Sequence, residues 1–297
     1  MSTITILGAT GQVGSKTVNN LLGKGHTLRL IARHADKLQQ FADKEGAKIF
    51  AGDSLDSHFL SNVISGSEVV MLMMPGDYHS ENIGAYQDNM GNAQIEAIRK
   101  SGVRKVLFLS SVGGHTEEHT GIVSGLARQE IRLGQLENVD VLILRPTYFM
   151  ENLLGNAGII KSMGVNGSPL KADRKFPMIA TQDIAKVAAE KLDKPDWRGK
   201  TVLPLLGPKD YDMGEVNKVL AGAIDKPDLP YVEFPYDQAK QGLKQMGFSD
   251  SIAQSYIEMI DGINMGVFNH ETRSNESTTP TTIEEFSKTF ANVYNLN

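Results

Sequence analysis

Hydrophobic residues in the first 145 positions fall into short, nearly uninterrupted runs, and the stretches between these runs show helical spacing of apolar and polar residues. This alternation is typical of repeated β-α-β units, in which helices cover both faces of a parallel sheet. The pattern predicts strands over residues 3–7, 27–32, 47–51, 69–73, 106–110 and 141–144. It predicts helices over residues 14–24, 35–44, 56–64, 80–101 and 124–137, several of which end at a glycine.

The regular alternation ends after Arg145, where glycine- and proline-containing segments separate shorter predicted elements. We expect an α/β fold in which residues 1–150 form a doubly wound parallel sheet. A helix over 181–192 and a strand over 200–205 predict that residues 181–206 return to this sheet. The remainder of 151–297 is expected to form a smaller, irregular α/β lid. Thr282 and Glu285 have the spacing of a capping box, which predicts a last helix through about residue 294.

Three glycines follow the first predicted strand in the segment GATGQVG. Gly8 permits the tight turn, Gly11 lets the backbone approach a pyrophosphate, and Gly14 lets a helix that opens there pack close to the strand. The other residues expected at the phosphates are Thr10, Gln12 and Val13, near the free N–H groups of the helix start. A simple turn is the alternative, but the place of the motif in the first strand–helix unit favours a dinucleotide site in a Rossmann-type domain.

The residues that follow the second and third predicted strands indicate which dinucleotide is bound. Arg33 ends the second strand where an acidic residue would hold a ribose 2′-hydroxyl, and Lys37 lies one turn further on. A guanidinium binds a 2′-phosphate in a fork, so NADP(H) is preferred and NAD(H) remains an alternative. Asp53, in the segment GDSLD, is expected to accept the adenine amino group or to serve the turn, and Asp56 is expected to cap the next helix.

Composition narrows the classes of function. The chain has no cysteine, which excludes a disulfide, a thiolate nucleophile and a cysteine-based zinc site, so redox chemistry requires a cofactor. The net charge of −5 with mixed signs provides no basic stripe, and we expect no nucleic-acid or membrane partner. A strand begins almost at the N-terminus without the pattern of an export signal, and no apolar run is long enough to span a membrane. The expected location is the cytoplasm.

These motifs, with the segments KVLFLSSVG and LRPTYFMEN, resemble the NmrA-like branch of the atypical short-chain dehydrogenases, and in particular its bacterial NAD(P)H-dependent quinone, azo-dye and triphenylmethane reductases. The resemblance covers nearly the whole chain. It implies a Rossmann domain, a small lid and a cleft between them that holds the nicotinamide. By position, the residues implied around that ring are Met74, Pro75, Ser110, Ser111, Pro146, Tyr148 and Phe149.

A Tyr and a Lys four residues later form the acid–base pair of typical short-chain dehydrogenases and epimerases. The corresponding helix here reads HTGIVSGLARQEI and contains neither residue. The pair Tyr236 and Lys240 has the spacing, but we interpret it as a chance match in the lid. Tyr148 is the one tyrosine expected near the nicotinamide, and it lacks a lysine at that spacing, which argues against epimerase chemistry.

The residues expected to line the substrate pocket are Tyr86, Met150, Asn152 and Phe176, with Tyr148 and Phe149, although for each apolar one core packing is an alternative. Asn152 has a second alternative, a helix cap. No catalytic residue is assigned; His79 and Tyr148 are weak candidates for a proton donor. His115 and His119 lack a third ligand, so no metal is expected.

We therefore expect an NADPH-dependent reductase that delivers a hydride to a quinone-like or similarly electrophilic small molecule. Such an acceptor takes the hydride directly, so positioning matters more than acid catalysis. The alternative is a non-catalytic NADP(H) sensor that contacts a protein partner, and a nucleotide-sugar epimerase is the third reading.

Overall fold

The computed structural model describes residues 2–296, and its secondary structure follows the expected alternation of strands and helices. Met1 and Asn297, at the ends of the two predicted units, lie outside the described residues. The strands are β1 (Thr3–Leu7), β2 (Thr27–Ala32), β3 (Ala47–Ala51), β4 (Val69–Leu72), β5 (Lys105–Leu109), β6 (Asp140–Pro146), β7 (Tyr148–Phe149), β8 (Asn166–Ser168), β9 (Phe176–Ile179), β10 (Lys200–Leu205), β11 (Asp210–Tyr211) and β12 (Tyr231–Glu233).

The helices alternate with the strands in the first half and cluster in the second half. They are α1 (Gln12–Leu21), α2 (Ser57–Ile64), α3 (Ile83–Ser101), α4 (Ser124–Gly134), α5 (Asn156–Met163), α6 (Thr181–Asp193), α7 (Met213–Ala223), α8 (Tyr236–Gln245), α9 (Asp250–Met265) and α10 (Ile283–Leu296). Short 3₁₀ helices occur at Asp36–Phe41, Gly121–Val123, Met150–Gly155 and Val267–Asn269.

The central sheet is parallel and has the strand order β3-β2-β1-β4-β5-β6-β10. The order reverses direction at β1, with β2 on one side and β4 on the other, which is the doubly wound arrangement that the sequence predicts. The predicted strand over residues 200–205 is present as β10 and pairs with β6 at the edge. Crossover connections bring all the carboxyl ends of these strands to one edge of the sheet.

Both faces of the central sheet are covered by helices, and their apolar side chains form two cores. One core contains residues of α1 and α6 against alternate strand residues such as Ile4, Leu30 and Leu144. The other contains residues of α2, α3 and α4 against the opposite strand faces, including Leu7 and Phe108. Burial on both faces explains why the strand sequences are almost entirely apolar.

A third core holds the C-terminal lid together. It joins α5, α7, α9 and α10 with the short strands β9 and β11, and Phe176, Tyr211 and Phe290 are almost fully buried in it. Strand β9 pairs with β7 and β11, and β8 pairs with β12 in a separate ladder. Because β7 directly follows β6, the lid is anchored at the carboxyl end of the central sheet.

Several local predictions are confirmed and others are wrong in detail. Asp56 caps α2 through bonds from His58 N and Phe59 N, and Thr282 and Glu285 form the reciprocal bonds of a capping box at α10. The helix predicted over 35–44 is instead the 3₁₀ helix Asp36–Phe41. Leu38 and Phe41, three residues apart, are its buried side chains, a spacing that suits three residues per turn.

Two helix starts also differ from the prediction. The first helix begins at Gln12 rather than at Gly14, and α3 begins at Ile83 because the Asn82 side chain caps it by accepting from Ala85 N. Among residues 2–296, none of the helices combines the length and the hydrophobicity needed to cross a lipid bilayer.

Candidate functional site

The GATGQVG turn connects β1 to α1 at the carboxyl edge of the sheet. Gly8 has a φ of +65°, and a Cβ built on it would lie 2.1 Å from Sδ of Met73. A Cβ on Gly14 would lie 2.1 Å from the carbonyl oxygen of Gly8, so the helix packs directly on the turn. A Cβ on Gly11 would meet that oxygen at 3.4 Å, an ordinary contact. Gly8 is therefore required by its positive φ and Gly14 by packing against the backbone, whereas Gly11 leaves its outer side open.

The start of α1 forms a cradle suited to an anion. Gly11 is the N-cap and has no side chain to satisfy the N–H groups of the first turn, which include those of Gln12 and Val13. Gln12 is exposed and Thr10 is half-buried, while the Val13 side chain packs into the core, which leaves only its backbone available. A phosphate fits such an uncapped helix start, where N–H groups and the helix dipole both favour negative charge.

Arg33, Asp53 and Tyr86 surround the end of the cleft beyond β2 and β3. Arg33 is exposed, with Nη2 3.5 Å from the carbonyl oxygen of Gly76. Asp53 is also exposed, and its Oδ1 accepts a hydrogen bond from Leu55 N at 3.0 Å, which stabilises the turn. A carboxylate has several acceptor sites, so Asp53 can still accept a hydrogen bond from a ligand. The pKa of Tyr86 is raised, mainly by burial. The positive charge of Arg33 acts to lower this pKa and the negative charge of Asp53 acts to raise it, so both charged side chains are close enough to influence the phenol. Lys37 is exposed on the 3₁₀ helix that follows.

The loop after β4 is fixed to the loop between α8 and α9. Met74 and Pro75 begin it and are half-buried. The ring of Tyr78 stacks on that of Phe248 with centroids 4.9 Å apart, and Ser249 N donates to the carbonyl oxygen of Tyr78 at 3.0 Å. This loop therefore closes one side of the cleft.

A cavity of about 270 Å³ lies between the carboxyl ends of β5 and β6 and helix α9. In the described part of the chain, none of its lining side chains carries a charge. The lining residues are Tyr78, Ser111, Val112, Ile122, Thr147, Tyr148, Phe149, Asn152, Phe176, Tyr256, Met259, Ile263 and Phe268. Five of the predicted residues meet here, namely Ser111, Tyr148, Phe149, Asn152 and Phe176.

Tyr148 is one of the aromatic side chains that line this cavity. Its ring meets that of Phe176 edge-on, with centroids 5.5 Å apart. Asn152 and Tyr256 of α9 line the same cavity. Burial raises the pKa of Tyr148 well above its usual value, and burial likewise raises the pKa of Tyr256. Both phenols are neutral near pH 7. Asn152 lies inside the 3₁₀ helix Met150–Gly155, so it is not a helix cap, and it lines the cavity.

Ser110 and Ser111 face different surroundings although they are adjacent. Ser110 is buried and its hydroxyl donates to Oε1 of Glu130, whereas Ser111 lines the cavity. Glu130 lies on α4, the helix that carries the acid–base pair in typical short-chain dehydrogenases. Arg145 binds it through both nitrogen ends and also contacts Glu271 at 2.8 Å. Glu130 of this helix therefore belongs to a structural ion pair.

Three predicted pocket or catalytic residues lie elsewhere, which corrects the sequence interpretation. Met150 is fully buried in the lid core, because the 3₁₀ helix that begins at this residue turns its side chain away from the cavity. Tyr86, in the first turn of α3, lies near Arg33 and Asp53 and is absent from the cavity lining. His79 is exposed, and its Nδ1 lies 3.1 Å from the carbonyl oxygen of Gly247, outside the cavity lining.

The Tyr236–Lys240 spacing occurs on α8, away from the cavity lining. The Tyr236 hydroxyl donates to Asp261 at 2.9 Å and Lys240 binds Asp250 and Gln254, so both side chains have structural partners. His115 stacks on His270 with ring centroids 4.0 Å apart.

The sequence interpretation missed the contribution of α9 to the cavity. Tyr256, Met259 and Ile263 all come from this helix, and Phe268 follows it directly. The apolar spacing of Ile252, Tyr256, Met259 and Ile263 in SIAQSYIEMIDGINM is that of one helix face, so a signal for the helix was present. Its place over the sheet edge was not encoded in that local pattern.

Comparison with known proteins agrees with this arrangement. Residues 1–287 match the model of the NmrA-like family. The chain is 27% identical to the NAD(P)H azoreductase of Xenophilus azovorans over 86% of this chain and 85% of that protein.

Solved structures share the fold over nearly the whole chain. The triphenylmethane reductase of Citrobacter sp., complexed with NADP(H), superimposes with a TM-score of 0.80 at 18% identity, over 97% of this chain and 99% of that one. The NADPH-dependent quinone oxidoreductase of Escherichia coli, complexed with NADPH, gives a TM-score of 0.73 at 22% identity, over 96% and 99%. At these identities the likeness shows a common fold.

Proposed function

The chain belongs to the NmrA-like family, and from this premise we propose that it is an NAD(P)H-dependent reductase that transfers a hydride to a quinone-like or similarly electrophilic conjugated small molecule. The observation that carries the proposal is the uncharged, aromatic-lined cavity at the carboxyl edge of the sheet. A ligand site in that position follows the rule for open parallel α/β sheets. The named relatives, an azoreductase, a triphenylmethane reductase and a quinone oxidoreductase, reduce conjugated acceptors.

The cofactor occupies the cleft from α1 to the cavity. Gly8, Gly11 and Gly14, with Thr10, Gln12 and Val13, hold the pyrophosphate against the uncapped start of α1. Arg33 and Lys37 bind the 2′-phosphate, which favours NADP(H) over NAD(H), and Asp53 accepts from the adenine. The residues on the nicotinamide side are Met74, Pro75, Ser111, Pro146, Tyr148 and Phe149. When bound, the reduced nicotinamide supplies the hydride.

The cavity residues position the acceptor, and the proposed reaction does not need the acid–base pair that alcohol chemistry requires. Helix α4 contains neither the tyrosine nor the lysine that would be needed to move a proton at a carbinol. An electrophilic conjugated acceptor has no such requirement, because it takes the hydride directly. Tyr148, Phe149 and Phe176 provide flat walls for a conjugated ring, and ring-on-ring contacts of this kind add to the energy of burial. A small molecule is the proposed partner and the cytoplasm the proposed location.

The test measures NADPH oxidation by the purified protein, followed at the nicotinamide absorbance, with a panel of small quinones, azo dyes and cationic triphenylmethane dyes. We expect turnover that depends on the acceptor. The variant Met259→Trp fills the cavity and is expected to lower turnover at least about tenfold while NADPH binding is retained, since Met259 lies on α9 and away from the glycine turn. NADPH binding without turnover for any acceptor contradicts the proposal.

A further inference from the structure

Lys16 lies on α1 one turn after its first residue, and its ammonium group connects three elements of the fold. Nζ of Lys16 donates to Oγ1 of Thr181, the first residue of α6, at 2.6 Å, and to Oε1 of Gln12, the first residue of α1, at 3.2 Å. It also lies 3.5 Å from Oε1 of Glu151, in the 3₁₀ helix that follows β7. The ammonium group is therefore held between two helix starts and the segment that continues from the cavity wall.

The carboxylate of Glu151 fixes the far end of this network. It accepts hydrogen bonds from Thr181 N at 3.1 and 3.0 Å, and the Thr181 hydroxyl donates to it as well. Because Ala180, the N-cap of α6, provides no side-chain bond, Glu151 supplies the acceptor for this helix start. The Thr181 hydroxyl gives its one proton to Glu151, so its oxygen is left to accept from Lys16.

The ammonium group of Lys16 determines which way the amide of Gln12 points. An ammonium group has three donors and no acceptor, so the amide oxygen of Gln12, and not the amide nitrogen, must face it. The two N–H donors of the amide consequently point away from Lys16. Gln12 is exposed, so these donors are accessible to a ligand.

We propose that Gln12 donates a hydrogen bond from its amide to the diphosphate of the cofactor, and that Lys16 is a positioning residue that holds the amide in this orientation. The inference rests on the placement of the diphosphate at the start of α1 under the proposed function. Gln12 directly follows the N-cap Gly11, so its side chain flanks the free N–H groups of the first turn. A hydrogen bond to a charged phosphate oxygen is stronger than one between neutral groups.

The bond between Lys16 and Gln12 is not needed for packing. A lysine that only tied α1 to α6 would need Thr181 and Glu151 and no further partner. Water can hydrate an exposed amide such as that of Gln12, and fixing the amide costs conformational entropy. That cost lowers the entropy that a ligand must overcome when it binds the same amide, which is the benefit of a preorganised site.

Lys16 acts through the amide rather than as a phosphate ligand. Two of its three donors already bond Gln12 and Thr181, and the carboxylate of Glu151 compensates its charge. The contribution of Lys16 to cofactor binding therefore depends on Gln12.

Calorimetric titration with NADPH measures this contribution without any turnover. Lys16→Met keeps the length of the side chain and removes its donors. We expect its Kd for NADPH to rise about fivefold to twentyfold, most of the value of a hydrogen bond to a charged group. Lys16→Arg can still donate to both partners and is expected to stay within about threefold of the wild type. The matched control is Lys186→Met, an exposed lysine of α6 beside the same groove, with a Kd expected within about twofold.

A second ligand and a second substitution separate positioning from a general effect of charge or stability. Adenosine 2′-monophosphate presents the adenine and the 2′-phosphate but no diphosphate, so its Kd is expected to be the same for Lys16→Met and the wild type. Gln12→Met is expected to weaken NADPH binding by a factor similar to that of Lys16→Met. Adding Lys16→Met to Gln12→Met is expected to change the Kd by less than about twofold, because the two residues act as one unit.

Three outcomes overturn the inference: an unchanged Kd for NADPH in Lys16→Met, an equal loss for adenosine 2′-monophosphate, and losses from Gln12→Met and Lys16→Met that multiply. Thr181→Val, which removes the hydroxyl that Lys16 bonds, is the second variant if Lys16→Met fails to fold, and it is expected to weaken NADPH binding about threefold. A wild type that binds no dinucleotide contradicts the cofactor site, and one that binds NADPH but reduces no acceptor contradicts only the proposed function. The failures are therefore distinguishable.

Discussion

The guanidinium of Arg145 holds the carboxylate of Glu130 with two hydrogen bonds, 3.0 Å from Nε to Oε1 and 2.6 Å from Nη2 to Oε2. Both side chains are largely buried, with 12% and 7% of their surface exposed. The pair joins α4 to β6, and Ser110 and Glu271 complete its hydrogen bonding. Removing one charge from a buried pair leaves the other charge without its compensation.

Glu130→Gln is therefore expected to lower the free energy of unfolding by about 3 kcal/mol, measured by urea denaturation at pH 7. The control is Glu96→Gln, which breaks an exposed ion pair with Lys100 and is expected to have no measurable effect. If the two variants have equal stability, the Arg145–Glu130 pair does not stabilise the fold.

The glycines of the phosphate-binding turn are expected to differ in their response to alanine. Gly14→Ala places a Cβ 2.1 Å from the Gly8 oxygen, so we expect a loss of about 1–3 kcal/mol of stability from overpacking, together with lost NADPH binding. Gly11→Ala has room at 3.4 Å and a φ of −79°, so its stability is expected to change by less than about 0.5 kcal/mol while NADPH binds at least about tenfold more weakly. Normal NADPH binding by Gly11→Ala would remove this turn from the cofactor site.

Arg33→Asp is expected to change cofactor preference without affecting the fold, since Arg33 is exposed at the end of β2. The carboxylate repels a 2′-phosphate. The Kd for NADPH is therefore expected to rise about tenfold to a hundredfold, which corresponds to the loss of one charge-assisted hydrogen bond. The Kd for NADH is expected to stay the same or fall. Calorimetric titration with both dinucleotides provides the measurement, and Arg99→Asp, on the exposed end of α3, is the control. An unchanged ratio of the two affinities contradicts the role of Arg33.

Stability at alkaline pH is expected to depend on Tyr231. Its hydroxyl is hydrogen-bonded to Ser168 and to the carbonyl oxygen of Leu170, both at 2.7 Å, and burial raises the pKa of Tyr231 above its usual value of 10.0. The folded state thus keeps a proton that the unfolded state releases near pH 10. This contribution is complete below pH 10 and is lost as the pH rises toward the folded-state pKa.

Urea denaturation at pH 8 and pH 11 measures this loss. The wild type is expected to lose up to about 1 kcal/mol more than Tyr231→Phe over this interval, because one titrating group contributes about 1.4 kcal/mol per pH unit at most. Comparing the two proteins removes the contribution of the lysines, which titrate in both. An equal loss in the two proteins would show that Tyr231 titrates normally.

The central sheet was predictable because its signals are local. Mostly apolar runs of five or six residues gave the bounds of β1, β2, β3 and β10 as the structure has them. Asp56 and Thr282 marked helix starts through bonds to residues two or three positions away. The segment around Leu38 and Phe41 misled the prediction, because a 3₁₀ turn and a short α-helix bury similar apolar spacings.

The lid was less predictable because its elements are short and owe their positions to packing. Strands such as β7 and β11 have two residues each, too few for a periodic pattern. Met150 and Tyr148 are two positions apart and both suggested a pocket wall, yet only the 3₁₀ helix that begins at Met150 determines which of them faces the cavity.

The sequence by itself determined the doubly wound sheet, the glycine turn, the basic residue at the end of β2 and the absence of the tyrosine–lysine pair on α4, since each depends on residues close together in the chain. Tertiary structure alone decided that Tyr256 and Tyr148 line the same cavity, that Glu130 binds Arg145, and that Ser110 is buried against Glu130 while Ser111 lines the cavity. Those contacts join residues on different strands and helices, and they form only when the packing of the sheet, its covering helices and the lid brings them together.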